Sequence, residues 1–140
     1  MARHEGTRSM TVNYDVITPS RVLLSDSAEM VVAPGGDGDF GVLPGHAPLL
    51  TTLRPGVLDV HLGDKVTVRI FVAGGFVEVS NSRLTVLAEE AREVSDIDRD
   101  GAEERLAHAL KSLEAADGAK RKRALAEVRI AEAMVAAATP

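Results

Sequence analysis

The side chains able to do chemistry fall into three groups, and none has catalytic spacing. Four histidines, His4, His46, His61 and His108, are scattered along the 140 residues. No two of them stand at the short interval that a metal-binding helix or loop uses, such as His-x-x-x-His. Ser25, Ser27, Ser80 and Ser82 read as turn residues, without the Gly-x-Ser-x-Gly elbow that exposes a nucleophile. The run Pro34-Gly35-Gly36-Asp37-Gly38-Asp39-Phe40-Gly41 has the glycines of a phosphate cradle. It lacks the Gly-Lys-Ser/Thr ending, and its two aspartates would repel phosphate. The same aspartates suggest calcium, but the EF-hand spacing and its closing glutamate are missing. No catalytic, cofactor or metal site is expected. The Gly-rich run reads as a sandwich loop, either structural or in contact with another protein.

One charged feature stands out. Lys120, Arg121, Lys122 and Arg123 are consecutive and lie at the start of a helical pattern. The helix dipole disfavours cations there. They read either as a solvated basic turn or as a contact for an acidic partner surface.

Two kinds of element must position these groups. From residue 11 to about residue 88 the period is two. Val12, Tyr14 and Val16 alternate with Asn13 and Asp15, and Val66, Val68, Ile70 and Val72 alternate with Thr67, Arg69 and Phe71. Shorter apolar runs at residues 22–24, 30–33, 57–62, 76–79 and 84–87 add strands. Gly63-Asp64 and Asn81-Ser82 suit two-residue hairpins, while Pro34-Gly35-Gly36, Pro55-Gly56 and Gly74-Gly75 mark further reversals. Many short strands at close spacing predict a β-sandwich or barrel. The alternation places Phe76 on a packed face, so Phe76→Asp is expected to unfold it.

After residue 94 the period becomes helical. Ile97, Ala102, Leu106, Ala109, Leu110 and Leu113 form one stripe, and Ala124, Val128, Ala131 and Val135 a second. Asp117-Gly118 separates them, which predicts an αα-hairpin, with Ser95 and Asp98 as an N-cap signal. The stripes are thin and rich in alanine, so the hairpin should be marginal unless it docks on the sandwich or on a partner. The first arm is acidic (Asp98, Asp100, Glu103, Glu104, Glu114, Asp117) and the second basic (Lys120, Arg121, Lys122, Arg123, Arg129). The expected organisation is a flexible arm over residues 1–10, a β-sandwich over residues 11–94 and a helical hairpin over residues 95–140. Met10 is an alternative start.

Composition limits the remaining classes. The net charge of −5 argues against broad binding to nucleic acid. Cysteine is absent, which excludes disulfides and thiolate metal sites. No apolar run approaches the ~20 residues of a membrane span, and residues 1–10 carry no signal-peptide core.

The strand half resembles the epsilon subunit of F-type ATP synthases. The resemblance rests on Val16-Ile17-Thr18-Pro19, the run from Gly38 through Leu43-Pro44-Gly45-His46-Ala47-Pro48-Leu49-Leu50, Leu53-Arg54-Pro55-Gly56, Gly74-Gly75-Phe76-Val77-Glu78-Val79, and Val86-Leu87-Ala88-Glu89-Glu90-Ala91. It implies an antiparallel β-sandwich with a C-terminal two-helix antiparallel hairpin, acting as a non-catalytic rotor subunit. The implied partners are the gamma subunit, the ring of c subunits and, through the hairpin, the alpha/beta catalytic head. Gly38, Asp39, Phe40 and His46 become candidate ring contacts, with a loop-pinning role for His46 as the alternative. Lys120, Arg121, Lys122 and Arg123 become candidate regulatory contacts. Some members of the family bind ATP through Ile/Leu-Asp-x-x-Arg-Ala. The segment Ala119-Lys120-Arg121-Lys122-Arg123-Ala124 has Lys120 where that motif has aspartate, and lysine cannot accept the aspartate's hydrogen bonds. No bound nucleotide is therefore expected. The resemblance also implies a place at the cytoplasmic face of a bacterial inner membrane, held through the complex. The alternatives are a free sandwich adaptor that binds a partner at a sheet edge, and a small hydrolase, which would need the converging cluster that the sequence lacks.

Overall fold

The computed structural model describes residues 11–140, and the arm expected over residues 1–10 lies outside them. Eight strands come first: β1 (Val12–Thr18), β2 (Arg21–Ala28), β3 (Met30–Gly35), β4 (Gly38–Val42), β5 (Leu49–Thr52), β6 (Gly56–Leu62), β7 (Lys65–Ser80) and β8 (Arg83–Glu93). A 3-10 turn at Val94–Asp96 leads into α1 (Arg99–Ala115) and α2 (Gly118–Ala138). The strands run in the order β2-β1-β8-β7-β6-β3-β4, with β5 on the far end of β7. Every pairing is antiparallel except β1 with β8, which is parallel. The expected sandwich is present, as a mixed rather than purely antiparallel sheet.

Local chemistry explains several elements directly. In β1, Val12, Tyr14 and Val16 are buried while Asn13 is exposed, as a period of two requires. Leu62 pairs with Lys65 across Gly63-Asp64, and Ser80 with Arg83 across Asn81-Ser82. Both Asn81 and Ser82 have positive φ, the signature of a type I′ hairpin.

The long strands β7 and β8 make the sandwich close. Residues 65–72 of β7 pair with β6, and residues 76–79 pair with β5. Gly74 and Gly75 lie between, at φ +73° and +94°. A Cβ on Gly75 would come within 1.8 Å of the Leu87 carbonyl oxygen, so only glycine fits. These glycines bend a continuous strand; they are not the reversal that their chemistry suggested. The reason is β8, which keeps a single register from Ile70↔Glu93 to Ser80↔Arg83 and carries the strand through the bend.

The bend also resets which face is inside. Before it, Ile70 and Val72 enter the sandwich core; after it, Val77 and Val79 do. The alternation therefore shifts by one residue, and Phe76 is 48% exposed. The packed face expected for Phe76 belongs to Val77. Before the bend, the opposite face of β7 is buried as well. Phe71 and Ala73 pack under the helices against Ala102, Met134 and Ala137. A third, smaller cluster joins the helices through Ala109, Val128 and Ala131, with Leu106 and Leu113 beside it. Leu110, assigned to the first stripe, is exposed.

Asp98 itself caps α1, its carboxylate accepting from the Gly101 amide at 3.2 Å. Ser95, expected as the cap, lies in the preceding 3-10 turn, where it cannot reach the helix's free amides. Ser25, Ser27 and Ser80 lie in strands, and only Ser82 serves a turn.

The shifted phase has a measurable consequence. Val77→Asp should cost about 3 kcal/mol or more by burying an unpaired charge, and Phe76→Asp about 1 kcal/mol or less. Urea midpoints of the two variants check this. Equal losses would mean that the phase does not reset.

Candidate functional site

The Gly-rich run is a hairpin and not an open loop. Pro34 pairs with Asp39 and Gly35 with Gly38, so Gly38, Asp39 and Phe40 belong to β4, an edge strand of the sheet. Only Gly36 and Asp37 form the turn. Asp39 is 62% exposed and pairs with Arg54 at 2.5 Å; Arg54 also donates to the Gly35 carbonyl at 2.7 Å. That guanidinium ties β4 to the segment after β5. Phe40 is half-buried against the sandwich core. His46 is half-buried in the loop that leaves the other end of β4. Its amide donates to the Leu43 carbonyl at 3.1 Å, and its Nδ1 lies 2.7 Å from the Ala47 carbonyl oxygen. At roughly 3.3 Å per residue, the two ends of β4 stand about 13 Å apart. The structure thus brings Gly38, Asp39 and Phe40 together and leaves His46 separate.

Sequence reasoning missed an apolar row on the outer face of the sheet. Val22 pairs with Ile17, Ile17 with Leu87, Leu87 with Phe76, and Phe76 with Thr52. These residues form one row across β2, β1, β8, β7 and β5, on the outer face of the sheet. Val22, Leu87 and Phe76 are exposed, as is Leu50 further along β5. A groove of about 350 Å³ runs between Ile17, Pro19, Phe76 and Leu87. The next row on the same face is polar. Asp15 accepts from Ser25 at 2.6 Å and pairs with Arg83 at 2.5 Å, and Thr85 and Glu78 continue it. An apolar strip with a polar border is the anatomy of a protein interface. The available signal was Val77-x-Val79 after two glycines, which turns Phe76 outward.

Lys120, Arg121, Lys122 and Arg123 are all exposed on the first turns of α2. Arg121 donates to the Leu113 carbonyl at 3.4 Å, supporting the C-terminal end of α1. Lys120 and Arg123 border a groove of about 640 Å³ at the hairpin turn, floored by Ala116, Ala124 and Ile130. Arg121 thus supports the end of α1 and Lys120 and Arg123 border the groove, while Lys122 takes part in neither. A better alignment of the nucleotide motif is Ile97-Asp98-Arg99-Asp100-Gly101-Ala102, at the start of α1. There the aspartate is present and Gly101 replaces the arginine, while the Asp98 carboxylate is engaged as a helix cap.

A second missed group is Arg105 on α1. It meets Glu90 of β8 through two nitrogens, at 2.7 and 3.0 Å, and Glu127 of α2 at 2.8 Å. The Glu90 hydrogen bonds raise its pKa, partial burial opposes this, and Glu127 adds to the rise. Among the described residues no three His, Asp or Glu side chains come together as a metal site. No helix among them is long and apolar enough to cross a membrane.

The chain's likeness to known proteins agrees with this geometry. The beta-sandwich domain of the ATP synthase delta/epsilon chain matches residues 11–94. The ATP synthase epsilon chain of Rhodospirillum rubrum is 47% identical over 91% of this chain and 96% of its own. That of Paramagnetospirillum magneticum is 45% identical over 90% and 96%. Two solved structures share the fold. A chain of the Euglena gracilis mitochondrial ATP synthase covers 91% of this chain and 81% of its own, with a TM-score of 0.79 at 22% identity. A chain of the Tetrahymena thermophila enzyme covers 91% and 96%, with a TM-score of 0.63 at 17% identity. The matching beta-sandwich domain and these relatives place the chain in the ATP synthase epsilon-chain family, as a non-catalytic subunit.

Proposed function

We propose that this chain is a central-stalk subunit of a proton-translocating ATP synthase, coupling the gamma subunit to the c-subunit ring. The observation that carries this reading is the exposed row Val22, Ile17, Leu87 and Phe76. Such a row needs a cover, and gamma is the partner that the family implies. The Tetrahymena neighbour belongs to a central stalk/c-ring assembly, which supports the same setting. The polar turn of β3 and β4 is the ring-facing end in this reading. Gly38 and Asp39 supply its contacts and half-buried Phe40 holds its shape, while His46, at the other end of β4, pins the loop that leaves that strand. The bacterial relatives support a peripheral place on the cytoplasmic face of the inner membrane.

The hairpin regulates without taking part in chemistry. Its seam with the sheet is narrow and alanine-rich, so a second position is energetically within reach. The basic start of α2 suits an acidic surface of the catalytic head. Lys120 and Gly101 each depart from the nucleotide motif, so protein contacts rather than ATP select between positions.

Three measurements test these assignments. Phe76→Asp should keep the sandwich folded and reduce co-purification with gamma at least roughly tenfold, a loss of about 1.4 kcal/mol or more; gamma recovered at the native level would refute the assignment of this face. Asp39→Arg sets a second guanidinium beside Arg54 and should lower proton pumping per ATP, with hydrolysis by the detached head unchanged. Native coupling would remove Asp39 from the ring contact. Deletion from Arg99 onward should raise ATP hydrolysis by the assembled enzyme, and an unchanged rate would leave the hairpin a purely structural role.

A further inference from the structure

We propose that Arg105 is an ionic latch that holds the helical hairpin closed on the sheet. Among the described residues it is the one guanidinium that pairs with carboxylates on two other elements, Glu90 on β8 and Glu127 on α2. The contact with Glu90 is bidentate, the geometry in which arginine binds a carboxylate with most strength and direction. The contact with Glu127 ties α2 to the same point, so the hairpin is held as a unit. Glu90 stands opposite Ala73, which sets one end of the latch beside the glycine bend of β7.

The apolar seam leaves this contact a share in the docking. Three of its five buried residues are alanines (Ala73, Ala102 and Ala137); Phe71 and Met134 are the large buried ones, and Val57, Val94, Ile97, Ile130 and Val135 join them only partly buried. At roughly 25 cal/mol per Å² of buried apolar area, alanines contribute little. Arg105 and Glu90 each retain 29% of their side-chain exposure and Glu127 44%. A pair that water and ions can reach is screened by salt. Arg105 keeps its proton throughout, so the latch responds to ionic strength and to competing charged surfaces, through loss of the pairing and not through its own titration.

This inference rests on the reading of the hairpin as a movable element. The chain has no cysteine, so spin labels can be placed on full-length protein at two exposed positions, Ala107→Cys on α1 and Lys65→Cys on β7. Pulsed dipolar spectroscopy should give one dominant short distance at low salt. In Arg105→Gln the longer, open population should rise at least roughly tenfold, the scale of losing charge-assisted hydrogen bonds. Glu90→Gln should move the population in the same direction, and Arg105→Lys should fall between. Raising salt to about 1 M should open the native chain and leave Arg105→Gln unchanged. Backbone chemical shifts of β1 to β6 report in each variant that the sandwich is intact. Native distances in both Arg105→Gln and Glu90→Gln would overturn the latch. An open Arg105→Gln hairpin, with hydrolysis unaffected by truncation at Arg99, would keep the latch and remove the regulatory reading.

Discussion

β7 can serve both halves of the sheet and two cores because it bends at Gly74 and Gly75 without breaking its register with β8. A side chain at position 75 would strike the Leu87 carbonyl, so the bend depends on the absence of a Cβ. On one side of it, Phe71 and Ala73 form the floor on which the helices rest. On the other, Val77 and Val79 fill the sandwich and Phe76 faces outward. The docking of the hairpin and the character of the outer face both follow from this local conformation.

The two docked surfaces are built on different physics. The sandwich core holds Tyr14, Leu58, Ile70, Leu84 and a set of valines, all nearly inaccessible to water. Burying each large side chain contributes about 1.5–3 kcal/mol, so this core is not easily opened. The hairpin is held by Phe71 and Met134 set among alanines and partly buried aliphatic side chains, together with one guanidinium. That difference sets a densely packed sandwich apart from a hairpin docked through a smaller, alanine-rich seam.

Much of the fold was legible in the residues. Alternation in β1, the turn pairs Gly63-Asp64 and Asn81-Ser82, and the change of period after residue 94 each followed from local chemistry. The misses share a cause, which is that they depend on contacts distant in sequence. Gly74-Gly75 has the composition of a reversal, and only the unbroken pairing with β8 makes it a bend. That error carried Phe76 to the wrong face and hid the outer row, whose members come from five strands. Asp39 looked like a loop residue because β4 is short and has glycine at positions 38 and 41, which leaves little alternation to read. Arg105 gave no signal because Glu90 and Glu127 lie 15 and 22 residues away.

The central claim is that the outer row of the sheet, with Phe76 at its middle, is the face that gamma covers. A photoreactive benzoylphenylalanine at position 76 of the assembled enzyme tests it directly, with the same group on exposed Lys122 as a control. Position 76 should crosslink efficiently to gamma, and position 122 should give no crosslink to gamma. Position 76 left without any crosslink, or joined to c subunits instead of gamma, would contradict it.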